Sequence, residues 1–100
     1  MITMARALRI DEVDNVATLL SQASNGEIVE IISCGGSIID RVEALESIPF
    51  GHKIALIDIG EGEEIIKYGE VIGVASKPIR RGEWVHIHNV ESVRLPERRV

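Results

Sequence analysis

The sequence predicts an all-β fold, made of short and sharply bent strands with at most one short helix. Short apolar segments rich in β-branched residues alternate with turns that contain Gly, Pro or Asn, which is typical of short strands. Gly followed by Glu precedes a strand-like segment three times, at Gly26, Gly62 and Gly82. Each copy predicts a corner where Gly adopts a positive φ. The 100 residues, 45% of them hydrophobic, suffice for one domain around one core.

Eight segments are predicted as strands from their apolar and β-branched side chains. In chain order they are residues 4–10, 15–20, 27–33, 37–39, 53–59, 64–67, 70–75 and 82–90. A helix is predicted only over residues 40–47, because Asp40 can cap it and Val42 and Leu45 have helical spacing. The core is expected to be aliphatic, since aromatic residues make up only 3% of the chain. Its predicted members are Val16, Ile31, Ile54, Leu56, Val71, Val85 and Ile87.

Composition excludes several classes of function. The net charge of −5 argues against a nucleic-acid partner, which normally requires a basic face. Cys34 is the only cysteine, so no intrachain disulfide is expected. No phosphate-binding loop is present, which argues against a nucleotide cofactor. The N-terminal segment lacks the apolar run of a signal peptide, and no stretch approaches the roughly 18 apolar residues of a membrane span. We therefore expect a cytoplasmic chain without a membrane partner, a single domain over residues 1–100 with a flexible tail over 94–100.

The segment from residue 82 to 90 carries the strongest functional pattern. As a strand it would place Trp84, His86 and His88 on one face, and Val85 and Ile87 on the other. The apolar face would enter the core and the other face would present two imidazoles. A solvated strand face with incidental histidines is the alternative interpretation of this pattern.

Every histidine and aromatic residue falls in one of three short segments, which suggests a shared pocket. Phe50 precedes His52, Tyr68 follows Lys67, and Trp84 precedes the other two histidines. The imidazoles of His52, His86 and His88 could ligate a metal, bind an anionic substrate, transfer protons, or have no function. Lys53 and Lys67 could hold a substrate carboxylate, or be solvated charges at strand ends.

Four segments, in this order, resemble the N-terminal domain of altronate and galactarate dehydratases, a SAF domain with a β-clip fold. They read D-N-V-A (14–17), P-F-G-H-K-I-A-L (49–56), I-K-Y-G with I-G (66–69 and 72–73), and G-E-W-V-H-I-H-N-V (82–90). The resemblance covers residues 14–90, most of the chain, and it fits the sharply bent β fold inferred above.

The resemblance implies a lyase that eliminates water from a hydroxy acid, with a divalent metal, iron above all. Members of this family carry a much larger C-terminal dehydratase domain, so this chain is expected to be a small subunit that shares an active site with a large dehydratase subunit. His52, His86 and His88 would act in catalysis or ligate the metal. Lys53 and Lys67 would bind the substrate carboxylate, with Tyr68 and Asn89 as hydrogen-bonding neighbours.

Two alternative functions stay open at this point, and so does the oligomeric state. The chain is also similar to the small subunit of sulfolactate sulfo-lyase, whose substrate is a sulfonated hydroxy acid and which eliminates sulfite. It is alternatively a non-catalytic module for carbohydrate binding or assembly, since SAF domains also serve in those roles. A homo-oligomer is compatible with the sequence.

Overall fold

A computed structural model describes residues 4–92, and in this range the chain is all-β, as predicted. Residues 4–92 form nine strands in two sheets and no helix. The strands are β1 (Ala5–Arg9), β2 (Val16–Leu19), β3 (Ile28–Ser33), β4 (Ile38–Glu43), β5 (Lys53–Ala55), β6 (Glu64–Lys67), β7 (Glu70–Ala75), β8 (Trp84–Val85) and β9 (Val90–Ser92). The tail predicted over 94–100 lies outside the described residues. Within those residues, no helix is long and apolar enough to cross a membrane.

The larger sheet has the order β4-β3-β1-β2-β5-β8, and the smaller one has the order β6-β7-β9. β1 and β3 are parallel, whereas all other paired strands are antiparallel. The middle strands serve two aliphatic clusters, because successive side chains of a strand point to opposite faces. Ala17 and Ile54 belong to the first cluster, and Val16 and Ala55 belong to the second. In β8 the same alternation turns Trp84 toward the first cluster and Val85 into the second.

The three Gly-Glu pairs form three equivalent corners, over residues 24–27, 60–63 and 80–83. The glycines Gly26, Gly62 and Gly82 have φ values of 89°, 86° and 96°, so the predicted positive φ is confirmed at each. In every corner the backbone N–H of the Glu donates to the carbonyl three residues earlier, at 2.9 Å. The Glu carboxylate then accepts the backbone N–H of that same residue, at 2.9, 2.6 and 2.7 Å in chain order.

Each corner is also joined to a neighbouring strand end in the same way. The glycine N–H donates to the carbonyl of an alanine, and that alanine's N–H donates to the carbonyl of the corner's Glu. The alanines are Ala44, Ala75 and Ala55, for Gly26, Gly62 and Gly82 respectively. At Gly82 a Cβ would lie 2.2 Å from the carbonyl oxygen of Glu43, so only glycine fits there. The Gly-Glu repeat of the sequence therefore corresponds to a turn motif that recurs three times with the same hydrogen bonds.

A fourth corner, over residues 49–52, has the same backbone and a different side chain. Gly51 has a φ of 84°, and the N–H of His52 donates to the carbonyl of Pro49 at 3.1 Å. Leu19 takes the place of the alanine, since its carbonyl accepts from Gly51 and its N–H donates to His52. His52 thus stands where the other corners have Glu. Pro49 has no N–H for a side chain to accept, so a carboxylate is not needed at this position.

Three predicted elements are wrong, and one of them, the strand over residues 82–90, is interrupted by a turn. The segment predicted as a helix over residues 40–47 begins as β4, which pairs with β3 so that Val42 lies beside Val29 in the core. Pairing with β3 overrides the weak helical spacing, and Asp40 accepts the Arg81 guanidinium at 2.9 Å instead of capping a helix. The strand predicted over 53–59 ends at Ala55, and Ile59 forms an isolated bridge to Ile79.

Most of the predicted core is confirmed. Val16, Ile31, Ile54, Leu56 and Val85 are buried. Val71 and Ile87 were placed on the wrong side, because they are 37% and 82% exposed. For Ile87 the cause is the break in the strand predicted over 82–90.

Candidate functional site

The segment over 82–90 is interrupted by a tight turn. β8 ends at Val85, residues 86–89 form the turn, and β9 begins at Val90. Asn89 closes the turn: its side-chain oxygen accepts the N–H of His86 at 2.9 Å, and its side-chain amide donates to the carbonyl of Trp84 at 2.8 Å. The prediction that His86 and His88 share one face of a strand is therefore wrong. Asn89 is buried and shapes the turn, and its predicted contact with substrate stays a prediction.

Trp84 brings all three histidines together despite the broken strand. Its ring centroid lies 5.4 Å from that of His52, 5.7 Å from that of His86 and 5.3 Å from that of His88. The rings of His52 and His86 are also neighbours, with centroids 4.6 Å apart. The pairing of β5 with β8 produces this arrangement, because Ile54 lies opposite Trp84 and the fourth corner leads directly into β5. We call Trp84 and the three histidines the imidazole cluster.

One hydrogen bond within the imidazole cluster defines the state of His52. The indole N–H of Trp84 donates to Nδ1 of His52 at 3.1 Å, and the indole has no lone pair with which to accept in return. A neutral imidazole carries one proton on its two nitrogens, so that proton is on Nε2. His52 therefore presents an N–H rather than a lone pair at Nε2.

Two lysines give the cluster a positive neighbourhood. Lys53 lies beside His86 in a shallow recess of about 180 Å³ that also contains Ile72, Ile87, Val90 and Ser92. Partial burial lowers the pKa of Lys53, and the positive charge of Lys67 lowers it further. Burial also lowers the pKa of His86, and the positive charges that His52, Lys53 and His88 carry when protonated lower it further. His86 is therefore a neutral imidazole near neutral pH, in a setting that favours an anion.

His88 faces a different recess from the one that Lys53 and His86 line. This second recess, of about 300 Å³, is lined by Glu46, Lys77, Pro78, Glu83, His88 and Asn89. It contains carboxylates of Glu46 and Glu83 as well as one lysine. The structure thus places the third histidine in a recess of mixed charge, separate from the recess of Lys53.

The tip of the β6–β7 hairpin displays Lys67 and Tyr68. Tyr68 has a φ of 61°, which is uncommon for a residue with a side chain, and it is 59% exposed. The carboxylate of Asp14 holds this backbone, because it accepts the N–H groups of Tyr68 and Gly69 at 3.0 and 2.8 Å. The ammonium of Lys67 lies 4.8 Å from the centre of the Tyr68 ring, within the range of a cation–π contact.

Asp14 and Trp84 are the residues whose roles were missed from the sequence. Asp14 is a buried carboxylate that positions the Tyr68 tip, and its sequence signals were the polar pair Asp14-Asn15 before an apolar strand and its place in the first of the four resembling segments. Asn15 continues the same link, since its side chain exchanges hydrogen bonds with the backbone of Glu64 and Ile66. These contacts tie the hairpin to the start of β2.

The metal prediction is not decided by this geometry. Within residues 4–92, no group of three His, Cys, Asp or Glu side chains is placed to hold a metal ion. In its hydrogen bond with Trp84, His52 offers no lone pair at Nε2. The imidazoles of His86 and His88 make no such bond to the indole, and imidazole nitrogen suits iron, zinc, nickel or copper.

Comparisons with known proteins place the chain in a family. The protein-family model described as "Altronate/galactarate dehydratase SAF domain" matches residues 5–93. The chain is 41% identical over 90 residues to galactarate dehydratase (L-threo-forming) of Escherichia coli K12, which covers 90% of this chain and 15% of that enzyme. It is 39% identical over 89 residues to altronate dehydratase of Bacillus subtilis 168, covering 89% of this chain and 17% of the enzyme.

Another relative, shorter than the two dehydratases, is named as an enzyme subunit. The chain is 48% identical over 54 residues to subunit alpha of (2R)-sulfolactate sulfo-lyase of Chromohalobacter salexigens, covering 54% of this chain and 57% of that subunit. The match thus spans a small part of the two dehydratases and somewhat more than half of the sulfo-lyase subunit. Because the family model matches nearly the whole chain, the protein belongs to the altronate/galactarate dehydratase SAF domain family.

Proposed function

We propose that this chain supplies part of the active site of a lyase that removes water from a sugar acid of the altronate or galactarate type, and that a large dehydratase subunit supplies the rest. The observation that carries the proposal is the placement of His86 beside Lys53 and against the ring of His52, with Lys67 close enough to Lys53 to lower its pKa. This is a cationic patch on a chain whose net charge is −5.

The residues of the patch suit elimination next to a carboxylate. Such a reaction needs a base for the α-proton, donors for the negative charge that develops, and a proton for the leaving group. Lys53 and Lys67 hold the carboxylate by charge-assisted hydrogen bonds, and Tyr68 adds a hydroxyl at the hairpin tip. His86, neutral near pH 7 because its pKa is lowered, accepts a proton. His52 donates a hydrogen bond from its Nε2–H to a substrate oxygen and keeps that proton, and the large subunit supplies the proton with which the leaving hydroxyl departs as water.

The size of the recess supports a partner. Pockets for small ligands usually enclose about 300–1,000 Å³ and bury most of the ligand. The recess of Lys53 and His86 holds about 180 Å³ and is open. A second chain that covers it would exclude water and strengthen every charged contact inside.

A divalent metal, iron by family resemblance, has a place in this proposal. His88 would hold it together with ligands from the large subunit, since the described residues offer no complete set and His86 needs its one accepting nitrogen for the proton. When bound, a divalent metal acts as a Lewis acid on a carboxylate or hydroxyl oxygen. His52 is left out of the ligand set because Trp84 occupies its Nδ1.

A second candidate function is elimination of sulfite from a sulfonated hydroxy acid such as (2R)-sulfolactate. It is favoured by the relative of this class, which is a small subunit and shows the higher identity, 48%, over its matched segment. The same residues serve in both cases, because only the leaving group differs. A carboxylate-binding patch does not distinguish the two acids.

The test is to purify the tagged chain from its native cells with the chain that binds it, and to assay the complex. Galactarate, altronate and (2R)-sulfolactate are supplied in turn, with keto-acid formation and sulfite release as readouts. We expect one of the three to be turned over by the complex and none by the isolated chain. Turnover by the isolated chain, or turnover of none by a complex that contains a dehydratase-like chain, contradicts the proposal.

Lysine variants then locate the carboxylate. We expect Lys53→Met to raise KM for the acid about tenfold or more, as the loss of a charge-assisted bond of about 1.5–3 kcal/mol requires. Lys77→Met, the same substitution in the recess of His88, is the matched control and leaves KM unchanged. The reverse pattern would place the substrate in the recess of His88.

A further inference from the structure

The fourth corner frees its side chain for another task. In the three Gly-Glu corners the Glu carboxylate accepts a hydrogen bond from the backbone N–H of the residue three positions earlier. Pro49 has no backbone N–H, so the side chain of His52 has no corresponding hydrogen bond to make within the fourth corner. The backbone of the corner is nonetheless complete, with Gly51 at positive φ and both hydrogen bonds to Leu19 formed. His52 is therefore carried by a rigid backbone, yet it is not required for the corner itself.

The imidazole of His52 instead accepts a hydrogen bond from the side chain of Trp84. The backbone of Trp84 is fixed by β8, which pairs with β5, and by its own N–H, which donates to the Glu46 carboxylate at 3.0 Å. Its ring packs against the first aliphatic cluster and stacks on the ring of His86 at an interplanar angle of 10°. The indole edge then meets His52 at an interplanar angle of 71°, which aims its N–H at Nδ1.

We propose that Trp84 is a positioning residue that holds His52 in the Nε2–H tautomer, so that His52 acts as a hydrogen-bond donor to an oxygen of the bound acid. The first half of this inference rests on the geometry of the isolated chain. The second half rests on the proposed function. In the opposite tautomer, Nε2 would present a lone pair to an anionic oxygen and repel it.

The proposal gives the two neighbouring imidazoles opposite roles. His52 is a donor because the indole occupies its acceptor nitrogen. His86 makes no side-chain hydrogen bond within the described residues, so its ring keeps an accepting nitrogen in the neutral form. With ring centroids 4.6 Å apart, the two can contact one small acid at the same time, His52 donating a hydrogen bond and His86 accepting a proton.

The test is a ¹⁵N NMR spectrum of the histidine side chains in the isolated chain at about pH 8.5, where imidazoles with the usual pKa of about 6.5 are neutral. We expect His52, assigned by its absence in His52→Ala, to show a protonated Nε2 and an unprotonated Nδ1. The opposite pattern, or an average of both tautomers, in the unaltered protein overturns the proposal without need of any variant.

Two variants and one control separate positioning from packing. Trp84→Phe keeps an aromatic ring and removes the N–H, and we expect the single tautomer of His52 to become a mixture. Tyr68→Phe is the control, and we expect it to leave the His52 signals unchanged. His52→Ala should shift the indole N–H proton of Trp84, the only tryptophan, toward its position in free indole. An unshifted indole proton contradicts the hydrogen bond even if Trp84→Phe does not fold.

The functional half has its own readout in the assembled enzyme. We expect Trp84→Phe to lower kcat and to leave the amount of assembled complex unchanged. A defined tautomer together with an inactive complex would preserve the positioning role and reject the proposed function. An active complex whose kcat is unaffected by Trp84→Phe would preserve the proposed function and reject the role of His52 as a donor.

Discussion

Removing a corner carboxylate should cost stability, whereas removing the fourth corner's imidazole should cost little. Glu27 accepts two backbone N–H groups, from Ser24 at 2.9 Å and from Ala5 at 3.1 Å, so Glu27→Ala leaves two donors without a partner. Hydrogen bonds to charged groups contribute about 1.5–3 kcal/mol each, and partial exposure reduces this. We therefore expect Glu27→Ala to lower the free energy of unfolding by about 2–4 kcal/mol.

His52→Ala loses only the bond from Trp84, worth about 1 kcal/mol or less. The assay is urea denaturation followed by circular dichroism, with thermal melting as a second measure. In a domain of this size each kcal/mol shifts Tm by roughly 4–8 °C. Glu27→Gln keeps an acceptor and should lie between the two. Equal losses for Glu27→Ala and His52→Ala, or a loss below about 0.5 kcal/mol for Glu27→Ala, would refute the corner mechanism.

Three further predictions follow from burial and charge. Leu56→Ala should lower stability by about 2–5 kcal/mol because Leu56 is buried, while Ile87→Ala should change it by less than about 0.5 kcal/mol; equal effects in urea denaturation would contradict the assignment of their faces. Asp14→Ala should speed amide exchange at the β6–β7 hairpin tip, measured by hydrogen–deuterium exchange, and unchanged protection there would argue against its role. The folded chain keeps His86 neutral to lower pH than the unfolded chain does, so its contribution to stability is present above about pH 6.5 and is lost as pH falls below that value. An NMR titration should show the pKa of His86 rising in Lys53→Met, and no rise would exclude Lys53 as a cause.

The strand pattern and the corners could be predicted from sequence because both are local. A β-branched segment such as β3 and a Gly followed by Glu each carry their structure within a few residues. The fourth corner was not predicted, because its sequence has His where the others have Glu. Only the backbone hydrogen bonds around Gly51 show that the fourth corner is the same turn motif as the other three.

Two of the three wrong elements, the helix over 40–47 and the strand over 82–90, depended on contacts that sequence spacing does not contain. Val42 and Leu45 have the spacing of a helix, but the register of β4 on β3 was decided by burial of Val42. In the segment over 82–90 the apolar alternation is genuine, but Asn89 closes a turn through its side chain and exposes Ile87. Side-chain hydrogen bonds of Asn to nearby backbone are known to compete with strand pairing in this way.

The clustering of the three histidines was predicted from the sequence, and the geometry of the cluster was not. The proximity of each histidine to an aromatic residue indicated one cluster, and the structure brings His52, His86 and His88 around Trp84. The pattern of alternating residues could not reveal that the indole binds Nδ1 of His52, because that bond joins residues 32 positions apart.

The central claim is that the imidazole cluster belongs to a lyase active site shared with a larger chain. The most direct test is the activity of the purified complex carrying His86→Ala, with the amount of complex measured by size-exclusion chromatography. Loss of a general base typically costs about 10²–10⁴-fold, so we expect kcat to fall by at least about 100-fold while the complex stays intact. An intact His86→Ala complex with unchanged kcat would contradict the claim and would instead indicate a binding or assembly module.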